Sequence, residues 1–416
     1  MGHDTTSSPA LPVEASRDTL TALLRQGSQR LLAAALEAEV EDVLTRFADV
    51  RNGDGRRLVV RNGHLPEREI QTGLGPVAVR QPRVADRRPA DAPERLRFRS
   101  AILPPYLRRT KSLDELIPWL YLKGVSTGDF GEALAALLGP QAKGLSPTTV
   151  VRLKADWEAE YREWSRRSLA GKHYVYLWVD GIWCNVRLED ERCCLLVVIG
   201  ATADGAKELL AVHDGLRESE QSWSEVLLDL KGRGLLPAPQ VAVGDGALGF
   251  WKALRKVFPA TREQRCWVHK TANVLNALPK RSHGEAKRRL QDIWMAASRA
   301  DAERALELFV AAFQAKYPKA TECLLKDREV LLTFYDFPAE HWRHLRTTNP
   351  IESTFASVRL RTVKTKGAGS RLACLTMVYK LARSAEKSWH RLQHAQLLSD
   401  LIQGIRFKDG IKQHAA

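Results

Sequence analysis

Long apolar runs are missing from this 416-residue chain. None approaches the roughly 18 residues that a membrane-crossing helix needs. The opening stretch, Met1 to Ser16, has no apolar core of the secretory kind and is read as no secretory signal. Cysteine is scarce and scattered, at Cys184, Cys193, Cys194, Cys266, Cys323 and Cys374, with no Cys-x-x-Cys pair. That excludes a disulfide scaffold and a zinc ribbon, and points to a reduced, cytoplasmic setting. A basic amphipathic helix with an aromatic face is also lacking, which weighs against an anionic membrane surface as partner. No internal repeat is apparent.

What is present is positive charge, and it is concentrated. The net charge is +15. Residues 51–109 hold 14 Arg against 6 acids, and residues 343–412 hold 14 Lys or Arg against 4 acids. The rest of the chain is mildly acidic. Two basic segments flanking such a middle suggest a polyanion held from two sides, although a solvated basic surface would look the same by charge alone. The length allows two or three domains, and 44% hydrophobic residues is ordinary for a globular chain.

Pattern divides the chain into six stretches. Residues 1–17 read as a disordered tail. Residues 18–109 begin with a helix from Asp18 to about Phe47, marked by Leu20, Leu23, Leu24, Leu32, Leu36 and Val40 at helical spacing. An Arg-rich extended unit over residues 58–80 follows, with a turn expected at Gly75-Pro76, and then a linker rich in Arg and Pro over 83–109. Residues 110–168 read as three helices. One opens at Ser112, one follows a turn at Gly124-Val125-Ser126-Thr127, and one starts at Ser146-Pro147. That outline fits a helix-turn-helix DNA reader, and equally any small helical bundle.

Residues 169–271 change to strands: 174–179, 183–188, 193–201, 209–213 and 239–243, with a helix near Gln221 to Lys231. Clustered strands followed by strand–helix alternation predict a mixed α/β sheet. A charged turn is expected at Glu189-Asp190-Glu191. Residues 272–345 are helical in pattern. So are residues 346–416 as far as about Gln403, broken at Gly367-Ala368-Gly369, with a basic tail.

Three carboxylates stand out. Asp180 ends a run of six apolar or aromatic residues, and Asp245 closes Val241-Ala242-Val243-Gly244, each with glycine next. A carboxylate at a buried strand's end sits at the sheet edge, where ligands bind; an Asp-Gly hairpin turn is the plainer reading of each. Glu352 follows Asn349-Pro350-Ile351, so it falls at the third position of a helix and could serve as a capping-box acid. The alternative is a carboxylate fixed beside a sheet, with Arg359, Arg361, Lys364 and Lys366 as a basic stripe behind it. Three carboxylates are what two Mg²⁺ ions about 4 Å apart would need, since bare cations at that distance repel strongly. Trp183, Trp223, Trp251 and Trp267 lie near these positions in sequence, and core packing is their commoner role.

Several short motifs occur in a telling order: Arg61-Asn62-Gly63 and Leu74-Gly75-Pro76; Val179-Asp180-Gly181; Gly244-Asp245-Gly246-Ala247 with Gly249-Phe250; Cys266-Trp267-Val268-His269; and Asn349-Pro350-Ile351-Glu352 before Arg359-Leu360-Arg361-Thr362. Over nearly its whole length the chain resembles transposases of the mutator-type bacterial insertion-sequence family. The resemblance implies a ribonuclease-H-like catalytic domain, interrupted by an all-α insertion and preceded by a mainly helical DNA-binding region. It implies that Asp180, Asp245 and Glu352 are the catalytic, metal-binding acids, with Asp180 bridging two Mg²⁺ ions that Mn²⁺ can replace. It implies cleavage at terminal inverted repeats and direct attack of the freed 3′-OH on DNA, in a homodimer or larger assembly acting at the bacterial nucleoid. Arg359, Arg361, Lys364, Lys366, Arg61 and Arg80 are the expected contacts to double-stranded DNA. Cys266 and His269 match a motif of the same kind. A zinc site needs four ligands and no second pair lies nearby in sequence, so a structural or active-site-shaping role is expected, with a core Cys and a helix-start His as the plainer reading. A nuclease of the same fold that cuts without joining, and a DNA-binding derivative without chemistry, are the rival readings.

Overall fold

The computed structural model describes residues 13–122, 125, 130–138, 147–186, 192–215, 217–246, 248–364 and 368–413. The chain forms two compact units, residues 1–150 and 151–416.

In the first unit, helix α1 spans Val13–Arg46. It takes in residues 13–17, which the sequence pattern assigns to the tail; Val13-Glu14-Ala15 has no helix breaker, so the helix simply starts earlier. Two antiparallel pairs follow: β1 (Val59–His64) with β4 (Pro82–Asp86), and β2 (Arg68–Thr72) with β3 (Gly75–Val79). Thr72 pairs directly with Gly75, so the turn is Gly73-Leu74, and Gly75-Pro76 opens a strand rather than forming the turn. β4 also claims the start of the stretch read as linker. Leu36 of α1 packs with Ile70, Val77, Val79 and Leu103 in one small core. Helices α2 (Lys111–Leu122), α3 (Phe130–Leu138) and α4 (Pro147–Ser165) match the three expected ones. The unit boundary falls within α4. The predicted turn residues Gly124, Ser126 and Thr127 and the cap Ser146 lie outside the described residues.

The second unit is built on a five-stranded mixed sheet in the order β7-β6-β5-β8-β9. β5 (Tyr174–Cys184), β6 (Cys193–Thr202) and β7 (Lys207–Gly215) form an antiparallel meander. β8 (Val241–Gly244) and β9 (Arg262–Arg265) extend it in parallel. Helix α5 (Glu220–Gly232) leads into β8, and α6 (Leu248–Val257) connects β8 to β9. Every residue of β6 is buried, as expected of a strand covered on both faces.

Period-two alternation along β5 sends Leu177 and Val179 into a core with Trp223, Leu227, Phe250 and Leu254 of α5 and α6. Tyr176 and Trp178 face the opposite layer. There the Tyr176 hydroxyl lies 2.9 Å from His341 Nδ1, and Trp178 Nε1 donates to the His344 carbonyl at 2.8 Å. Those partners belong to the helical stretch after β9: α7 (Trp267–Asn276), α8 (His283–Trp294), α9 (Arg299–Phe313), α10 (Pro318–Leu325), α11 (Arg328–Leu331) and α12 (Trp342–Leu345). Among the described residues no strand lies between β9 and Asn349, as the pattern predicted.

Helices α13 (Asn349–Lys364) and α14 (Arg371–Glu386) flank the predicted break, of which Gly367 lies outside the described residues. α15 (Gln396–Ile402) follows, and then a hairpin, β10 (Phe407–Lys408) with β11 (Ile411–Lys412), that the helical pattern did not anticipate. Its Asp409-Gly410 turn has both φ angles positive, the Asp-Gly signature of a tight hairpin. No described helix is long and apolar enough to cross a membrane.

Candidate functional site

Asp180 does not sit at a strand end. β5 runs unbroken through it, pairing Asp180 with Val197 and Gly181 with Leu196, so the separate strand predicted from Trp183 is the same strand continued. The predicted turn at 189–191 lies outside the described residues. Asp180 alternates with Trp178, which aims it at the helical layer. It is only 7% exposed, and its Oδ1 accepts from the Gly181 N–H at 2.9 Å.

Asp245 matches its prediction better. It leaves the end of β8, and Gly246 turns the chain at φ +97°. A Cβ at Gly246 would also run into the Arg265 guanidinium. β5 and β8 are in parallel register, with Trp178 opposite Val243. Two more steps along both strands bring Asp180 and Asp245 side by side.

Burial is the main reason that Asp180 is pushed up to about 7; the charge of Asp245 adds to it, and His269 opposes it. The Asp180 carboxyl therefore holds its proton more tightly than an ordinary aspartate does.

Glu352 is brought to this pair by a chain of contacts. The Cys266 N–H donates to the Gly244 carbonyl at 2.8 Å, which ties the start of α7 to the end of β8. Thr348 Oγ1 lies 3.5 Å from Cys266 Sγ and donates to Glu352 Oε1 at 2.9 Å. The N–H groups of Ile351 and Glu352 donate to the Thr348 carbonyl. Thr348 therefore precedes the first turn where Asn349 was expected to cap it, and the Glu352 carboxylate binds a hydroxyl rather than the Asn349 N–H. The capping-box role is not made; the carboxylate is positioned for something else.

His269, one turn into α7, completes the group. Its Nδ1 is 3.9 Å from Glu352 Oε1. Donor atoms of Cys266, His269 and Glu352 all lie within 4.8 Å of one another. The neighbouring Cys266 thiol raises His269 to about 9 against the cost of burial, and the charges of Asp180 and Asp245 help. Burial pushes the Cys266 thiol up, but its contacts with His269 and Thr348 outweigh that and hold it below its usual range. At neutral pH His269 is thus an imidazolium beside Glu352, within reach of the charges of Asp180 and Asp245. Sequence order separates this motif from each acid; the fold joins it to all three. It supplies one Cys, one His and one shared Glu, short of the four donors of a closed zinc site.

One acid was missed. Glu218, just before α5, accepts from Trp183 Nε1 at 3.1 Å. Burial raises its carboxyl, and Asp245 raises it further. A Cβ on Gly181 would lie 2.5 Å from Glu218 Cδ and Oε1, and one on Gly249 would lie 2.5 Å from the Glu218 carbonyl. The two glycines thus make room for Glu218, which is the reason for glycine after Asp180. Trp183 is 45% exposed beside this acid, whereas Trp223, Trp251 and Trp267 are buried in the core. The signal available in the sequence was Gly181 itself, once it is known not to turn.

The expected DNA contacts are dispersed. Arg359 is exposed, with its guanidinium over the Phe355 ring. Arg361 is 4% exposed, so its side chain points into the protein. The Lys364 side chain and all of Lys366 lie outside what is described. In the first unit Arg61 pairs with Glu37 at 2.6 Å, and Arg80 is exposed after β3.

The sequence pattern of the family described as "Transposase, Mutator family" matches residues 5–392. The transposase for insertion sequence element IST2 of Acidithiobacillus ferrooxidans is 55% identical over 287 residues, 67% of this chain and 95% of that protein. The transposase for insertion sequence element IS6120 of Mycolicibacterium smegmatis is 53% identical over 298 residues, 72% of this chain and 92% of that protein. Among solved structures, the Drosophila P element transposase strand transfer complex shows a loose likeness. Its TM-score is 0.28 at 12% identity, over 71% of this chain and 86% of that one.

Proposed function

This chain belongs to the Mutator family of transposases, and we propose that it cuts DNA at the terminal inverted repeats of an insertion sequence and joins the freed 3′-OH to DNA at the carboxylate centre just described. The observation that supports this most is the convergence of Asp180, Asp245 and Glu352, from a strand, a loop and a helix far apart in sequence, at one end of the parallel strand pair.

Three antiparallel strands extended by two parallel ones support a ribonuclease-H-like reading of residues 169–271 and 346–416, with residues 272–345 as an all-α insertion between the second and third acids. The oxygen donors suit Mg²⁺, with Mn²⁺ as substitute. Two such ions, when bound, activate the attacking hydroxyl and stabilise the leaving oxygen of a phosphodiester.

The chain's own residues hold and orient that centre. Asp180, Asp245 and Glu352 would hold the ions, with Asp180 as the shared carboxylate; because burial raises its carboxyl to about 7, Asp180 would have to be ionised to do so. The Thr348 hydroxyl fixes the rotamer of Glu352, and His269 balances charge across the three acids and is placed to meet a DNA phosphate. Arg359 on α13, with Lys364 and Lys366 by their place in the sequence, are candidate contacts to DNA, and Arg61 and Arg80 serve in the first unit with α2 to α4 as its helix-turn-helix-like part. Two element ends held together call for a homodimer or larger assembly.

The test is a duplex carrying the imperfect repeats that bracket the gene. With Mg²⁺ the wild-type protein should cleave it and join the pre-cleaved ends, and Asp180→Asn should do neither. Hydrolysis without joining would make the protein a nuclease, and unchanged chemistry in the variant would refute the assignment of the acids.

A further inference from the structure

Beside the first turn of α13 lies an open cavity of about 830 Å³. Asn349, Pro350 and Ser353 form one wall, and Glu352 is not part of it. The other walls come from distant parts of the second unit: Lys207 on β7, Arg343 and His344 on α12, and residues 388–391 with Gln393 after α14. Among the described residues no carboxylate lines it. Lys207, Arg343 and Arg391 give it three fixed positive charges, and His390 adds a further donor.

These cations are poorly neutralised. Lys207 donates one N–H to the His390 carbonyl at 2.8 Å, and Arg343 Nε donates to His344 Nε2 at 3.1 Å, so each leans on a neutral group. Arg391 has an acid, Asp204 at 3.3 Å, but both side chains are more than half exposed, so that pairing is weak. Burial, helped by the charges of Lys207 and Arg343, drives His344 down to about 4 and keeps it neutral. Trp389 Nε1, also in the wall, is shut off from solvent with no hydrogen-bond partner. A concave surface lined by ammonium, guanidinium and the side-chain amides of Asn349 and Gln393, with no anionic acceptor, is complementary to an anion with several oxygens.

We infer that this cavity is a phosphate-binding groove for the DNA backbone beyond the reacting phosphodiester, reached across the first turn of α13. The inference rests on the reading that this chain acts on DNA. The volume favours a strand over a free ion, since a single phosphate leaves most of 830 Å³ empty. The position favours it too: α13 presents Glu352 to the metal centre and, one residue later, Ser353 to the cavity. A strand crossing that turn would meet carboxylates and their cations on one side and basic side chains on the other. The groove does not read base sequence, because donors aimed at phosphates position a strand without specifying it.

The full-length protein is tested with a short fluorescent duplex of arbitrary sequence in Ca²⁺ across a salt series. The variants are Lys207→Gln/Arg343→Gln and, separately, Gln393→Leu. For the double variant the slope of log affinity against log salt should become shallower by about 0.9 for each phosphate no longer neutralised, with binding near physiological salt weaker by roughly ten-fold. Gln393→Leu, which deletes a neutral donor from the cavity wall, should weaken binding while leaving the slope alone. A wild-type slope in a double variant that melts like the wild type would overturn the proposal. So would inorganic phosphate protecting against melting only when Lys207 and Arg343 are intact while the duplex binds both proteins equally; the cavity would then be a small-anion site. The salt series requires no cleavage, so it gives its answer even if the proposed strand chemistry fails in the Asp180→Asn comparison.

Discussion

The first turn of α13 separates two sites of opposite sign, and each is built differently. On one side the acids Asp180, Asp245 and Glu352 are placed by regular structure: a strand interior, a strand end and a helix start, cross-linked through Cys266 and Thr348. On the other side Lys207, Arg343 and Arg391 come from a strand, a short helix and an irregular segment, with few direct links among them. The difference fits the two proposed tasks. Metal ligation would tolerate only tenths of an ångström, so its groups would need rigid supports. A phosphate backbone is met by long, adjustable side chains whose charge matters more than their exact position. Loss of chemistry and loss of binding should therefore separate cleanly between the two sides.

The largest effect expected is at the acids. Asp180→Asn, Asp245→Asn or Glu352→Gln should each cut Mg²⁺-dependent strand cleavage by roughly a thousand-fold or more, while leaving the salt slope of DNA binding unchanged. A cleavage assay paired with a binding isotherm checks both halves; a variant that lost binding in step with cleavage would break the comparison.

His269 comes next. It touches Glu352 and feels both aspartates, so His269→Ala should lower cleavage by about 10- to 100-fold, the usual cost of losing a group that supports metal ligands. Thr348→Val removes only the hydroxyl that orients Glu352 and should cost about ten-fold, read as a higher Mg²⁺ requirement rather than a lower plateau.

The smallest effect is on stability. The carboxyl of Asp180 is raised in the folded state to about 7 from an ordinary 3.8. An acid raised on folding stabilises fully below its unfolded value, and that contribution is lost as pH rises through its folded value. In metal-free protein, melting temperature should therefore fall between about pH 4 and pH 7. Asp180→Asn should flatten that part of the profile, and a variant with the same slope as the wild type would show that Asp180 ionises freely.

The same contrast explains what could be read from the chain alone. Asp245 was legible because an apolar strand ends on it and Gly246 turns. Asp180 was legible too, but glycine after aspartate looks like a turn, when Gly181 in fact makes room for Glu218 across the strand. Nothing along Arg217-Glu218-Ser219-Glu220 distinguishes Glu218 from ordinary surface charge. The basic stripe on α13 rests on charge spacing. Ile351, Thr354, Phe355, Val358 and Arg361 are the buried residues at helical spacing, so Arg361 belongs to the inward face. The basic cavity was illegible for a simpler reason: its cations lie at 207, 343 and 391, and only the fold makes them neighbours. The helical stretch before Asn349 and the mixed sheet were both legible from periodicity, whereas the closing hairpin was too short to show any.

The most direct measurement is the shift in melting temperature on adding Mg²⁺ to the full-length protein, compared with Asp180→Asn. The carboxylate centre predicts a concentration-dependent rise in the wild type, steeper at pH 8 than at pH 6, and none in the variant. An equal rise in both proteins would contradict it.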